Sequence, residues 1–162
     1  MFPWKNAFVS YTIRKMAKLK REREGRYTFV HRGESVDMRE LVAGIVRPAR
    51  RFPGGRGAPG VFELGGRTVV CRQYLHGGWL RGVTGGNFLG EDRALRELEV
   101  TVYLEEKGFP VVSPVGYVAE NQASSRKLYF LSLFLPDAHD LMTHFASGGT
   151  GERLRMAKRL AE

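Results

Sequence analysis

The sequence predicts an α+β domain in which a twisted antiparallel sheet carries one packed helix. Three observations carry that expectation. Short apolar runs rich in β-branched and aromatic residues recur at Val61–Leu64, Thr68–Tyr74, Val115–Ala119 and Leu128–Leu135. Glycine and proline turn signals bound these runs, with Gly65-Gly66 placed as a tight hairpin turn. Between the two pairs of strands, Glu91–Lys107 shows the apolar spacing of a helix.

Taken in order, residues 1–26 form a basic arm, with eight Lys or Arg against Glu22 and Glu24. The same arm holds Phe2, Trp4, Phe8, Tyr11, Ile13, Met16 and Leu19, a mixture of apolar groups and cations that suits an anionic membrane surface. A solvated basic extension is the plainer reading, and nonspecific nucleic-acid binding a third. No zinc spacing, helix-turn-helix pattern or RNA-binding signature accompanies the charge, so no specific nucleic-acid partner is expected. Tyr27–His31 reads as a strand, and Val36–Ile45 as a short helix or an irregular segment. The run Gly54-Gly55-Arg56-Gly57-Ala58-Pro59-Gly60 is a turn before the Val61–Leu64 strand. Thr68–Tyr74 returns from the hairpin, and residues 76–90, with six glycines, form a long connection.

In the helix that follows, Glu91 and Asp92 suit the positive end of the dipole, Ala94, Leu95, Leu98 and Val102 make the apolar stripe, and Gly108 ends it. Pro110 and Pro114 precede a strand at Val115–Ala119, Glu120–Arg126 forms a turn, and Leu128–Leu135 is the last strand, ended by Pro136 and Asp137. Helical segments are expected near 140–145 and from Gly151 to the end, where the pattern stops without a cap.

Composition bounds the function. With 162 residues, 43% of them hydrophobic, the chain can bury a core. The single cysteine, Cys71, excludes an internal disulfide and points to a reducing, cytoplasmic setting. Cys71 alternates with Val70 and Arg72 and is expected to be a small core residue. No apolar run reaches the ~20 residues of a membrane span. His31, His76, His139 and His144 lack metal-ligand spacing, and no metal site is expected.

Gly55, Gly57 and Gly60 match G-x-G-x-x-G, a weak signal among 20 glycines. A dinucleotide-binding fold needs a helix after this pattern, whereas a strand follows here. A glycine loop between antiparallel strands is the arrangement kinases set over ATP phosphates, where missing side chains let backbone N–H groups approach oxygen. An ordinary glycine-rich hairpin is the alternative. Val69-Val70-Cys71-Arg72 has the form of the kinase third strand, with arginine in place of lysine. A helical carboxylate would hold that cation, and phase alone does not separate Glu97 from Glu99.

The segments "GRGAPGVFELGGRTVVCRQYLHGG", "RALRELEVTVYLEEKGFPVVSPVG" and "LYFLSLFLPDAHDL" resemble the lipopolysaccharide kinase family, and within it the 3-deoxy-D-manno-octulosonic acid (Kdo) kinases. The resemblance spans about residues 45–162. It implies a protein kinase-like N-terminal lobe over 27–136, followed by a connector and the first helix of an incomplete C-terminal lobe over 137–162. It also implies ATP- and Mg²⁺-dependent phosphorylation of an inner-core sugar of a lipid A acceptor, at the cytoplasmic face of the inner membrane. Gly55, Gly57 and Gly60 would then cradle phosphates, Arg72 would contact them, Glu97 would hold Arg72, and the backbone of Phe134 and Leu135 would meet adenine. The catalytic aspartate and the magnesium ligands of such enzymes lie in the second lobe, so magnesium ligands are expected only beyond this chain. A noncatalytic nucleotide- or membrane-binding fragment is the alternative.

Overall fold

The computed structural model describes residues 19–33, 36–52, 58–76, 86–136, 149 and 151. Its strands are β1 (Lys20–Glu24), β2 (Tyr27–His31), β3 (Arg50–Arg51), β4 (Gly60–Leu64), β5 (Arg67–Gln73), β6 (Asn87–Phe88), β7 (Pro114–Asn121) and β8 (Arg126–Leu133). The helices among the described residues are α1 (Met38–Val46) and α2 (Asp92–Glu106). All strands join one antiparallel sheet in the order β1-β2-β7-β8-β5-β4-β3. The α+β class is therefore as expected.

Each element has a local cause. Gly65 and Gly66 both take positive φ, +57° and +73°, the backbone that turns β4 into β5 in two residues. Asp37 caps α1, its carboxylate accepting from the Arg39 N–H at 2.7 Å, and Met38, Leu41 and Ile45 form its buried stripe. In α2 the buried stripe is Ala94, Leu98 and Val102, with Leu95 partly buried, and Gly108 follows the helix at φ +77°.

Alternation along the strands divides the core between the two faces. Phe29, Phe62, Leu64, Val69, Cys71 and Leu131 pack with α1, while Val30, Tyr74, Tyr117, Leu128 and Phe130 pack with α2. β7 is covered on both faces, so Pro114 to Glu120 are all buried, a continuous pattern rather than an alternating one.

Several expectations need correction. The single packed helix expected becomes two: the segment 36–45, open between helix and irregular chain, holds most of α1 (Met38–Val46), because Asp37 caps a run with helical apolar spacing. The basic segment does not stay apart from the sheet: Lys20–Glu24 pairs with β2 from Glu24↔Tyr27 to Lys20↔His31. Its charged side chains suit an edge strand, where they discourage pairing with another chain. The glycine-rich connection contains β6, whose Asn87 and Phe88 pair with Lys127 and Arg126. The last turn is shorter than expected, since Glu120, Asn121 and Arg126 extend the β7–β8 ladder, and β8 ends at Leu133. The helices expected at 140–145 and from Gly151 onward lie, Gly151 aside, outside the described residues.

The approach of α1 to the sheet depends on Gly44. A Cβ there would lie 2.1 Å from the Phe62 ring. Gly44→Ala is expected to lower stability by about 1–3 kcal/mol in urea denaturation, through overpacking. An unchanged midpoint would show that α1 and Phe62 shift apart without cost.

Candidate functional site

The candidate site lies on the face that carries α2. Arg72 sits on β5 opposite Phe130 of β8, and Phe130 belongs to the core cluster beneath α2. Strand alternation therefore turns Arg72 toward the helix and Cys71 away from it, into the cluster beneath α1. Glu97 on α2 accepts a hydrogen bond from Arg72 Nη2 at 2.6 Å. Of the two glutamates, Glu97 is the one that meets Arg72. Glu99 is instead buried, 5% exposed.

Tyr74 completes the cluster. Its hydroxyl donates to the other Glu97 oxygen at 2.6 Å, and the Arg72 guanidinium lies 5.1 Å from its ring centroid. Arg93, one turn before Glu97 on α2, lies 5.3 Å from the same ring. The Tyr74 hydroxyl is pushed upward in pKa, first by burial and then by its bond to the Glu97 carboxylate, so it remains a donor at neutral pH. Sequence reasoning missed Tyr74 and Arg93. The signal was available: Tyr74 is two residues from Arg72 on one strand, and Arg93 four residues from Glu97 on one helix.

Arg72 and Glu97 are 42% and 36% exposed, so water screens their attraction and the pair contributes little to stability. Its effect is positional. Among the described residues no second acceptor meets the guanidinium, so the planar fork has further N–H donors to offer.

Next to this cluster, β3 and β4 form a hairpin base. Arg50 pairs with Val61, Arg51 with Gly60, and Phe52 N–H donates to the Pro59 carbonyl at 2.9 Å. Most of the glycine-rich run between β3 and β4, Gly55 and Gly57 included, lies outside the described residues. Gly60 opens β4, where an added Cβ would come within 2.8 Å of Pro48. Close packing on Pro48 is therefore a structural reason for glycine at this position.

Phe134 stands against Phe52, with ring centroids 6.2 Å apart, and Arg50 covers both rings at 4.6 and 5.8 Å. The Phe134 N–H donates to the Thr68 carbonyl, extending the β5–β8 ladder, so that donor is not free for adenine. Leu135 follows at 48% exposure. No family model, curated protein or solved structure matches this chain.

The described residues include no group of three or more His, Cys, Asp or Glu placed to hold a metal ion. No described helix is long and apolar enough to cross a membrane. His31 is buried, its Nδ1 accepting from Gly33 N–H at 3.2 Å and its Nε2 lying 3.2 Å from Glu22. His76 meets the Asn87 carbonyl at 2.8 Å and stacks on Phe88. Both are structural partners. His139 and His144 lie outside the described residues.

Burial pushes the Cys71 thiol up to about 12 from 9.0, with Arg51 opposing. The folded chain then keeps a proton that the unfolded chain releases, so this contribution is complete below about pH 9 and is lost as pH rises toward about 12. Tyr74, Tyr117 and Tyr129 shift in the same direction, each mainly by burial. The urea midpoint is therefore expected to be lower at about pH 10.5 than at about pH 8, and Cys71→Ala should reduce the difference. Equal midpoints at the two pH values would contradict the burial argument.

Proposed function

We propose that this chain is the nucleotide-binding lobe of an ATP-dependent kinase acting on a sugar hydroxyl of the lipopolysaccharide inner core. The observation that carries the reading is the 2.6 Å Arg72–Glu97 ion pair, a strand cation held by a helical carboxylate beside the base of a glycine loop. In phosphoryl transfer such a pair sets a positive charge against the α- and β-phosphates.

The chemistry is the breaking of the bond between the β–γ bridging oxygen and the γ-phosphorus as the sugar oxygen bonds to that phosphorus; ADP leaves with the bridging oxygen, and the hydroxyl proton passes to solvent water. The described residues would bind and orient the nucleotide for this transfer. The free N–H groups of Arg72 would meet phosphate oxygens in its planar fork, and Gly55 and Gly57 would let the backbone approach them. The base would lie toward Phe134 and Leu135, where aromatic surface rather than the engaged Phe134 N–H would receive it. Magnesium, when bound to ATP, offsets charge on the phosphates, and no described residue is assigned to it. The acceptor class rests on the family resemblance. The surplus of cations in residues 1–26 supports a place at an anionic membrane surface, on its cytoplasmic side.

The test compares two glutamates by calorimetric titration with ATP. Glu97→Gln is expected to weaken binding on the order of threefold to tenfold by loosening Arg72, whereas Glu99→Gln should alter stability and leave affinity intact. Equal affinity losses at the two positions would sink the assignment of Glu97. ATP binding with no transfer to a Kdo-lipid A acceptor would favour the noncatalytic module.

A further inference from the structure

The sheet face opposite Arg72 and Glu97 carries two adjoining hollows. One is a cavity of about 230 Å³ whose polar wall includes Arg51, Gln73, Glu120 and Tyr129. The other is an open groove of about 600 Å³ between α1 and the β1–β2 turn, lined by Tyr27, Met38, Val42, Ala43 and Val46. Arg26, Tyr27 and Val46 line both, so a polar chamber and an apolar trough share one wall.

The charges around this wall are unevenly matched. Glu120 is satisfied by Arg26 at 3.0 Å and by the Tyr129 hydroxyl at 2.9 Å, and Glu24 lies 3.7 Å from Arg39. Arg47, on the groove, and Arg51, on the cavity, have no carboxylate partner among the described residues. Arg51 contacts the Ala58 carbonyl at 3.5 Å. Val46 is 54% exposed, so apolar surface stands open to solvent beside these cations.

We infer that this face binds a single anionic acyl lipid, with the chain along Val42, Ala43 and Val46 and the headgroup toward Arg47 and Arg51. A purely apolar ligand would leave the two cations unmatched, and a free anion would leave the trough wet. An amphiphile satisfies both halves at once. The inference does not rest on the nucleotide reading, because the two sites occupy opposite faces of the sheet.

The experiment titrates the full chain calorimetrically with oleoyl-lysophosphatidate below its critical micelle concentration, and with oleoyl-lysophosphatidylcholine as the neutral comparison. Saturable binding of the phosphatidate is expected, with about tenfold weaker binding of the choline lipid. Val46→Glu and Ala43→Glu change exposed positions, so the fold should survive, and each should weaken binding about tenfold or more. Arg47→Gln with Arg51→Gln should bring the phosphatidate down to the affinity of the choline lipid. The inference is overturned by absence of saturable binding, by equal affinity for the two lipids, or by indifference to these variants. It is also overturned if binding appears only after residues 1–18 are removed, since the chain would then fill its own groove.

Discussion

Arg72→Ala is expected to weaken ATP binding about 10- to 100-fold, the ~1.5–3 kcal/mol of hydrogen bonds to a charged group. If transfer is assayed with a complete enzyme carrying the same substitution, the turnover loss should be about 100-fold or more, because charge on the phosphoryl group is then less well stabilised. Stability should hardly change. Arg72 is 42% exposed, and Glu97 keeps the Tyr74 hydroxyl as a donor at 2.6 Å. The contrast between a large loss of affinity and a small change in melting temperature separates a phosphate contact from a structural one. Arg72→Lys should recover part of the binding, as a point charge without the fork. Unaltered ATP affinity in the alanine variant would remove Arg72 from the site.

The largest effect on stability is expected at Glu91. Its Oε1 accepts from Arg126 at 2.6 Å, and its Oε2 accepts from Arg21 at 3.0 Å and from the Tyr117 hydroxyl at 2.8 Å. The side chain is 13% exposed, at a point where β1, β7, β8 and the start of α2 meet. Removing it leaves the Arg126 guanidinium, 31% exposed, and the Tyr117 hydroxyl without their acceptor. Glu91→Ala should therefore cost about 3–5 kcal/mol, a large share of the ~5–15 kcal/mol that holds a domain together. Urea denaturation measures this, with the slope unchanged if only the folded state is affected. Arg21→Ala, at a 56% exposed position, should cost about 1 kcal/mol or less. Similar losses for Glu91→Ala and Arg21→Ala would mean that Arg126 and Tyr117 find water instead.

Glu91 also shows where local reading stops. Placed at the start of a helix, it was expected to act on the helix dipole, yet its side chain makes no capping hydrogen bond. Its partners lie 26 to 70 residues away in sequence. Arg21 illustrates the same limit from the other side, since a cation in a basic segment reads as solvated until an edge strand carries it to a carboxylate.

The sequence by itself determined what depends on neighbouring residues. Gly65-Gly66 set a two-residue turn because both positions need positive φ, short apolar runs marked most of the strands, and Ala94, Leu98 and Val102 marked the inner face of α2. It also placed Arg72 and Glu97 on a strand and a helix that could meet. Only the tertiary structure decided that they do meet, that Glu99 is buried, and that Phe134 gives its N–H to Thr68. The division of the core into an α1 face and an α2 face belongs to the same class. Which strand becomes the neighbour of which is fixed by long-range burial and pairing, and those energies exist only once distant segments have come together.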